Sequence, residues 1–170
     1  MKSVTILAAL LTSLFAAAQS PEENLKKLNI QLPQASAPVA SYVNAVKTGN
    51  LIFLAGKGPR KENGEYVTGK LGDSLNIQQG YDAARLTGIN QLAVLKELLG
   101  DLSKVKRIVK VNGYVNSTNN FYNQPQVMNG YSDLMLQVFG EKGRHARTAL
   151  GTNTLPMNIA VEVEMIVEVE

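Results

Sequence analysis

Residues 159–169 read IAVEVEMIVEV, a stretch in which apolar side chains alternate with Glu162, Glu164 and Glu168. A period of two places these carboxylates on one face of an extended strand and most of the apolar side chains on the other. The stretch therefore predicts a β-strand that buries one face. The residues of the apolar face are Val161, Val163, Met165, Val167 and Val169.

Three upstream segments also have the composition of strands. Lys104–Asn116 alternates around valine and isoleucine, and Thr148–Leu155 is a shorter extended segment. Leu51–Ala55 is a continuous apolar run that follows Gly49 and Asn50. This pattern predicts a hairpin turn and then a strand covered on both faces.

Two helices are predicted between the strands. Gln78–Leu99 has apolar residues at helical spacing and few breakers, and Gly100 follows as a C-terminal cap. Pro125–Phe139 carries one apolar stripe and also ends at a glycine. This order of elements predicts an α+β fold, a mixed sheet with two main helices packed on one face. A single helix layer leaves the other sheet face open, so the pattern also indicates self-association.

The amino terminus has the organisation of a cleavable signal peptide. Lys2 supplies the positive charge, Val4–Phe15 is an apolar segment too short for a membrane span, and three alanines precede a cleavage site after Ala18. A buried amino-terminal helix is the weaker alternative, because apolar residues occupy every face of the segment. We therefore expect residues 1–18 to be removed, residues 19–170 to form one domain, and the product to be periplasmic or secreted.

The composition excludes several classes of function. The chain has no cysteine and a single histidine, His145, so it has neither disulfides nor a lipid-anchored signal peptide, and one histidine cannot build a metal site. The formal net charge of +3 becomes +2 without Lys2, a weak electrostatic footprint for nucleic acid. Nucleophile-elbow, Walker and dinucleotide-binding motifs are absent. No segment after residue 20 is hydrophobic enough to span a bilayer, so no membrane anchor is expected.

Five blocks of this sequence occur in the order found in one known family. Together they resemble the RidA (YjgF-like) family over nearly the whole mature chain, in particular a branch with Gly-x-His-Ala-Arg and Gly-Tyr-x-Ala-Ala-Arg sequences. The resemblance implies a chorismate-mutase-like fold, a homotrimer with three clefts between subunits, and no metal or organic cofactor. The blocks are 41–44 (SYVN), 49–56 (GNLIFLAG), 80–85 (GYDAAR), 105–111 (VKRIVKV) and 143–164, from GRHAR through LP to VEVE.

The resemblance also implies a chemistry and three catalytic residues. Well-studied members hydrolyse enamines and imines, such as 2-aminoacrylate and 2-iminobutanoate, to 2-keto acids and ammonia. Arg147 corresponds to the family's carboxylate-binding arginine, whose planar guanidinium pairs two donors with two carboxylate oxygens. Glu162 corresponds to a glutamate that orients water or the departing nitrogen, and Tyr42 to a tyrosine at the cleft. Each of the three has a purely structural alternative. Arg147 could form a surface ion pair, Glu162 could lie on a solvated strand face, and Tyr42 could be a packing residue.

Further substrate-binding positions follow from the same resemblance. Gly56 is expected to present backbone to the ligand, unless it simply ends a strand. Ala149 stands where many members have a cysteine, so only its backbone can contribute. Phe121 is expected to form an apolar wall of the cleft. His145 is expected to have a structural or supporting role, although its side chain could titrate near neutral pH.

Three functions are open on these grounds. The first is a deaminase of small carboxylate-bearing imines or enamines, and the second is a non-catalytic carboxylate-binding or stress-protective protein. The third is a ribonuclease. It rests on Lys104, Lys106, Arg107 and Lys110, which are more simply the solvated edge of a strand. The expected partners are therefore a small carboxylate ligand and the other subunits of a homotrimer, and not nucleic acid.

Overall fold

The computed structural model describes residues 19–38 and 40–170, so the predicted signal peptide lies outside the described residues. Within the described ranges, no helix has the length and apolar character needed to cross a membrane. Short 3-10 turns link several elements at Leu102–Lys104, Gly140–Gly143 and Pro156–Asn158. The main elements are α1 (Pro21–Lys27), β1 (Ala45–Thr48), β2 (Leu51–Lys57), α2 (Ile77–Leu99), β3 (Val105–Asn116), α3 (Gln124–Phe139), β4 (Ala146–Thr152) and β5 (Val161–Val169).

These five strands form one mixed sheet in the order β1-β2-β5-β3-β4. β3 and β4 are parallel, and the other neighbouring strands are antiparallel. Gly49 and Asn50 form the predicted hairpin turn, since Thr48 pairs with Leu51 across it. β5 is the central strand, and its side chains alternate between buried and partly exposed because one of its faces is covered by helices and the other is not.

Helices α2 and α3 cover one face of the sheet. The alternate side chains of β5 from Val161 to Val169 are buried beneath them. Burial of one such aliphatic side chain stabilises a fold by about 1.5–3 kcal/mol. The predicted α+β architecture, with two main helices on one face of a mixed sheet, is therefore confirmed. The helices contribute Leu92, Leu95, Val127, Met128, Tyr131, Leu134 and Met135 to this core.

The opposite face of the sheet is open in the single chain. In β2, Ile52 and Leu54 are buried towards the helices, whereas Phe53 between them is 42% exposed. The prediction of a strand covered on both faces is therefore wrong for the single chain, because the chain supplies a helix layer to one face only. An apolar side chain is left on the open face.

Capping and pairing set the ends of the elements. Asn76 and Gln79 form a capping box at the start of α2, and Gly100 ends this helix in the left-handed region with a φ of 72°. β4 begins and ends earlier than the predicted Thr148–Leu155. The reason is that Ala146–Thr152 is the segment that pairs in parallel with β3.

One buried amide joins both helices to the sheet. Gln91 of α2 is fully buried, and its Nε2 donates to the carbonyl oxygens of Ala55 at 3.1 Å and Val163 at 2.6 Å. Its Oε1 accepts from the Tyr131 hydroxyl of α3 at 3.0 Å. The pairing of β2 with β5 shifts register just after Leu54. The Gln91 side chain therefore supplies hydrogen-bond donors at the point where the sheet ladder is interrupted.

Replacing Gln91 with leucine should lower the free energy of unfolding by about 2–4 kcal/mol, because two carbonyl groups lose their donor and the Tyr131 hydroxyl keeps only the Met165 sulfur as an acceptor. Urea unfolding of the purified protein measures this loss. Tyr131→Phe is the matched control, since it removes only the hydroxyl contacts with Gln91 and Met165 and leaves both carbonyl groups satisfied, at a cost of about 1 kcal/mol. Equal losses for the two variants would contradict the role assigned to Gln91.

Candidate active site

A cleft of about 220 Å³ opens where β2 ends and β5 begins. It brings together three residues predicted from the sequence, Tyr42, Gly56 and Glu162. They come from the segment before β1, from the end of β2 and from the start of β5. The other lining residues are Ser36, Ala37, Lys57, Gly58, Tyr66, Pro156, Met157 and Ile159.

Glu162 is the carboxylate of this cleft. It is half-buried and, within the described residues, has neither a hydrogen-bond donor nor an ion-pair partner. Its neighbour on the same face, Glu164, instead accepts hydrogen bonds from Asn112 Nδ2 at 2.8 Å and from the Tyr114 hydroxyl at 3.4 Å. Burial, and then the charge of Glu164, raise the pKa of Glu162. A carboxyl group with a raised pKa in a cleft is typical of a site of proton transfer.

Gly56 allows the Glu162 carboxylate to approach the backbone of β2. A Cβ atom at position 56 would collide with Glu162 Oε1. Gly56 lies within β2 and has no positive φ, so the requirement is for space and not for a special backbone conformation. The absence of a side chain at this position therefore fixes where the carboxylate can lie.

Lys57 also lines the cleft, although no sequence pattern pointed to it. Its Nζ donates to Asn44 Oδ1 at 2.6 Å, and Asn44 Nδ2 donates to the Ser36 carbonyl at 2.8 Å. Burial, and then repulsion from Arg60, lower the pKa of Lys57. The only available signal was a lysine at the end of an apolar run, and that position is usually a solvated strand end. The contact ties the lead-in segment to β2.

Two predicted wall residues have different positions in the structure. The side chain of Tyr42 is at the rim of the cleft and is 46% exposed, which leaves its ring and hydroxyl accessible. Phe121 is only 9% exposed and belongs to the hydrophobic core, next to Gly72. Within one chain Phe121 does not line this cleft, because its loop packs inwards over the core.

Arg147 lies on β4 and is held by one helix. In the parallel pairing of β3 with β4, Arg147 lies opposite the buried Val111, and its guanidinium extends to α3. Nη1 donates to Asn129 Oδ1 and to Ser132 Oγ, both at 3.0 Å, and Nη2 donates to the Pro125 carbonyl at 3.3 Å. A guanidinium has five N–H donors, so these three bonds leave the Nε hydrogen and one Nη2 hydrogen. A guanidinium with two remaining donors can still bind a carboxylate.

Arg147 and Glu162 do not meet within one chain. Glu162 stands between the buried Val161 and Val163, so it lies on the open face of the sheet. Arg147 lies on the helix-covered face of the edge strand, and Ala149, two residues along β4, is half-buried on that same face. The predicted residues therefore divide into a cleft group (Tyr42, Gly56, Glu162) and an arginine group (Arg147, Ala149).

The two groups supply complementary chemistry. The arginine group can bind an anion with the two remaining donors of the guanidinium. The cleft group offers a carboxyl group that can accept and return a proton. Within residues 19–38 and 40–170, no three His, Cys, Asp or Glu side chains cluster closely enough to hold a metal ion.

Residues 22–169 match the family model described as "YjgF/chorismate mutase-like, putative endoribonuclease". The chain belongs to this family. Protein TCP17 of Trypanosoma cruzi is 46% identical over 146 residues, which cover 85% of this chain and 91% of that protein. A 2-iminobutanoate/2-iminopropanoate deaminase of Dermatophagoides farinae is 33% identical over 142 residues, which cover 83% of this chain and 95% of that protein. The crystal structure of Atu1372, a protein of unknown function from Agrobacterium tumefaciens, has a TM-score of 0.81 at 41% identity and covers 88% of this chain and 91% of its own.

Membership confirms the resemblance inferred from the five sequence blocks and the chorismate-mutase-like fold. The match extends across both the cleft group and the arginine group. The matched proteins carry names that imply different activities or none. The reaction therefore has to be argued from the site.

Glu162→Gln should raise the thermal midpoint at about pH 8 and leave it unchanged at about pH 4. The pKa of Glu162 is raised in the folded protein, so its ionisation favours the unfolded state. The contribution of protonated Glu162 to the free energy of unfolding is fully present below the pKa that this group has in the unfolded chain. It is lost as the pH rises through the higher pKa of the folded protein. Scanning calorimetry at both pH values measures the difference.

Glu168→Gln is the control for this measurement. Glu168 lies on the same face of β5 but accepts a hydrogen bond from Asn50 Nδ2 at 3.2 Å and lies 3.9 Å from Lys106 Nζ. Removing its charge should give no gain at about pH 8, because the carboxylate already has partners. A lower midpoint for Glu162→Gln at that pH would contradict the raised pKa.

Proposed function

We propose that this protein hydrolytically deaminates small enamine and imine carboxylates in sites completed between the subunits of a homotrimer. The proposal depends on the half-buried carboxyl group of Glu162, whose pKa is raised beside an open cleft. The deaminase of Dermatophagoides farinae, 33% identical across 83% of this chain, supports the same chemistry. The products are a 2-keto acid and ammonia.

The division of the site into two groups supports a shared site. Arg147 and Glu162 lie on opposite faces of one sheet, so a single substrate can contact both only if a second copy supplies one of them. β4 is an edge strand, and the cleft opens beside the uncovered face. In a closed ring, the edge of one subunit can approach the cleft of the next, so that each interface holds one complete site.

The open sheet face supports association of the chain. Val46 pairs with Phe53 on this face, and both side chains are substantially exposed. Leu150 of β4 is also exposed and follows the same alternation. A sheet face with several exposed apolar side chains is typical of a surface that is covered in the assembled protein. A trimer around this face would bury it.

The residues suggest a simple course for the reaction. Arg147 holds the substrate carboxylate, which places C2 of the iminium beside Glu162 and a water molecule. The water oxygen bonds to C2 as the carbon–nitrogen double bond becomes single, and the Glu162 carboxylate takes a proton from that water. Glu162 then passes the proton to the nitrogen. The carbon–nitrogen bond then breaks while the Glu162 carboxylate takes the proton of the new hydroxyl group, so that the carbonyl forms and ammonia leaves. Ammonia collects that proton from Glu162 and departs as ammonium, which restores the carboxylate.

The required acceleration is modest. Imines already hydrolyse in water, so a rate enhancement of about a hundredfold to ten-thousandfold, or roughly 3–5.5 kcal/mol, suffices. Holding the carboxylate and placing one water can supply that much. We also propose export, based on the sequence of residues 1–18, so the physiological imine is one that forms outside the cytoplasm.

Protein beginning at Gln19 should accelerate keto-acid formation when threonine dehydratase generates 2-iminobutanoate in the presence of semicarbazide. Arg147→Ala should reduce this rate about a hundredfold, because the bidentate charged contact with the carboxylate is lost. Glu162→Gln should reduce it at least about tenfold, because the proton acceptor is lost. The measurement is the split between free keto acid, formed by hydrolysis of the imine, and the semicarbazone, formed when semicarbazide traps the imine first.

Arg144→Ala is the matched control for the arginine variant. Arg144 is exposed and pairs with Glu141 at 2.8 Å, so its loss should leave the rate unchanged. If wild-type protein does not accelerate the reaction, the deaminase proposal fails. Thermal stabilisation by 2-oxobutanoate that disappears in Arg147→Ala would then favour the carboxylate-binding alternative.

The protein should sediment at three times the chain mass, and Phe53→Glu should convert it to monomer, because a charge on the open sheet face cannot be buried in the interface. Leu98→Glu is the control, since Leu98 is similarly exposed but lies on α2, away from this face. Sedimentation velocity distinguishes the species. Monomeric wild-type protein, or trimeric Phe53→Glu, would contradict the shared site.

The structure gives the ribonuclease alternative little support. Three of its four basic residues already have partners within the chain. Lys104 Nζ donates to the Leu99 carbonyl at 2.7 Å, and Lys110 Nζ donates to Thr148 Oγ1 at 2.9 Å. Lys106 lies 3.9 Å from the Glu168 carboxylate. A phosphate backbone would have to compete with each of these contacts.

A further inference from the structure

His145 lies directly before β4 and makes a hydrogen bond with each ring nitrogen. Nδ1 is 2.7 Å from the Gly143 carbonyl oxygen, and Nε2 is 3.0 Å from Ser132 Oγ. A carbonyl oxygen can only accept, so Nδ1 carries the proton. In the neutral imidazole Nε2 is then an acceptor, and the Ser132 hydroxyl donates to it.

This arrangement determines how Ser132 meets Arg147. Because the hydroxyl proton of Ser132 points at His145, the oxygen presents its lone pairs to Arg147 Nη1 at 3.0 Å. The other two acceptors of the guanidinium, Asn129 and the Pro125 carbonyl, also belong to α3. The three positions are four and three residues apart, so they form one face of that helix. Together they hold the guanidinium with its Nε and remaining Nη2 hydrogens available.

A protonated His145 breaks this chain of hydrogen bonds. Nε2 would then also be a donor, and two cationic donors would converge on the single oxygen of Ser132. The Ser132 proton would lose its acceptor, and the positive imidazolium would repel Arg147. The guanidinium is then no longer held in the orientation that leaves its two remaining donors open.

We propose that His145 is a positioning residue that orients Arg147 through Ser132 only while its imidazole is neutral, so that carboxylate binding weakens in acid. This inference rests on the carboxylate-binding role of Arg147 in the proposed function. It adds a reason for histidine in the Gly-x-His-Ala-Arg sequence. Burial, and then the charge of Arg147, lower the pKa of His145, so the neutral form prevails at pH 7.

The other charged groups around His145 have partners of their own. Arg144 pairs with Glu141 at 2.8 Å, and Lys142 Nζ donates to the Val105 carbonyl at 3.1 Å. On α3, Asp133 accepts from the Tyr81 hydroxyl of α2 at 2.9 Å. On the far side of β4, Lys110 is bound to Thr148. Among the described residues, only Ser132 and the Gly143 carbonyl hydrogen-bond to the imidazole.

The single histidine makes the proposal directly measurable. Protein beginning at Gln19 and labelled with ¹⁵N-histidine shows one imidazole, that of His145. Its nitrogen shifts should report the Nδ1–H tautomer at pH 7.5 and a transition to imidazolium at a lower pH than in a free histidine, because the pKa of His145 is lowered. An Nε2–H tautomer would overturn the proposal without any variant having to fold.

Binding of 2-oxobutanoate, measured by calorimetry between pH 5 and 8, tests the consequence. Wild-type affinity should fall about fivefold or more towards pH 5, a typical coupling between two sites. His145→Gln should remove that His-linked loss, and Ser132→Ala should bind about fivefold more weakly at pH 7.5. Arg144→Ala should follow the wild type. Glu162 titrates in the wild type and in His145→Gln alike. Any difference in pH dependence between these two proteins therefore reports His145 and not Glu162.

The outcomes distinguish this inference from the deaminase proposal. If His145→Gln shows the same pH dependence of binding as the wild type, or if wild-type affinity rises in acid, the positioning role is overturned. Neither result bears on the deaminase proposal, which is tested by turnover. Binding that weakens in acid without any turnover supports the positioning role and overturns only the deaminase. Failure to bind 2-oxobutanoate at every pH overturns the positioning role, because that role requires Arg147 to bind a carboxylate. The deaminase proposal is decided separately, by turnover.

Discussion

The side-chain amide of Gln91 substitutes for sheet pairing where β2 shifts register against β5, and the cleft depends on this substitution. By donating to the Ala55 and Val163 carbonyls, it allows the last residues of β2 to leave the regular ladder without burying unsatisfied polar groups. Gly56 lies at this point, and the Glu162 carboxylate occupies the space that a side chain would have filled. Because Tyr131 bonds to the same amide, both helices share the constraint.

Stability and function make opposite demands on the two groups of the site. Glu162 is half-buried without a partner in the described chain, which disfavours its charged form, whereas Glu164 beside it is satisfied by Asn112 and Tyr114. Arg147 is instead held tightly by α3, yet two of its donors are left over. The proposed deamination of an imine carboxylate would use both a carboxyl group with a raised pKa and a guanidinium held in one orientation.

Much of the fold and part of the site could be predicted from local patterns. The alternation in β5 and the glycines that follow α2 and α3 are signals that act within a few residues, so these elements lie within a residue or two of their predicted bounds. Lys57 was missed because a lysine after a strand carries no signal until the strand is known to end at a cleft. Phe121 was placed in the cleft, but the packing of its loop puts it in the core.

The sequence by itself determined the α+β class and the family and predicted the residues of the candidate site, because strand alternation, helix caps and the ordered blocks are properties of the chain read in one dimension. Only the tertiary structure decided that Arg147 and Glu162 lie on opposite faces of the sheet, and that His145 reaches Arg147 through Ser132 on another element. The physical reason is that strand pairing and helix packing set these relations between residues distant in sequence. No local pattern records which face of the sheet a helix will cover.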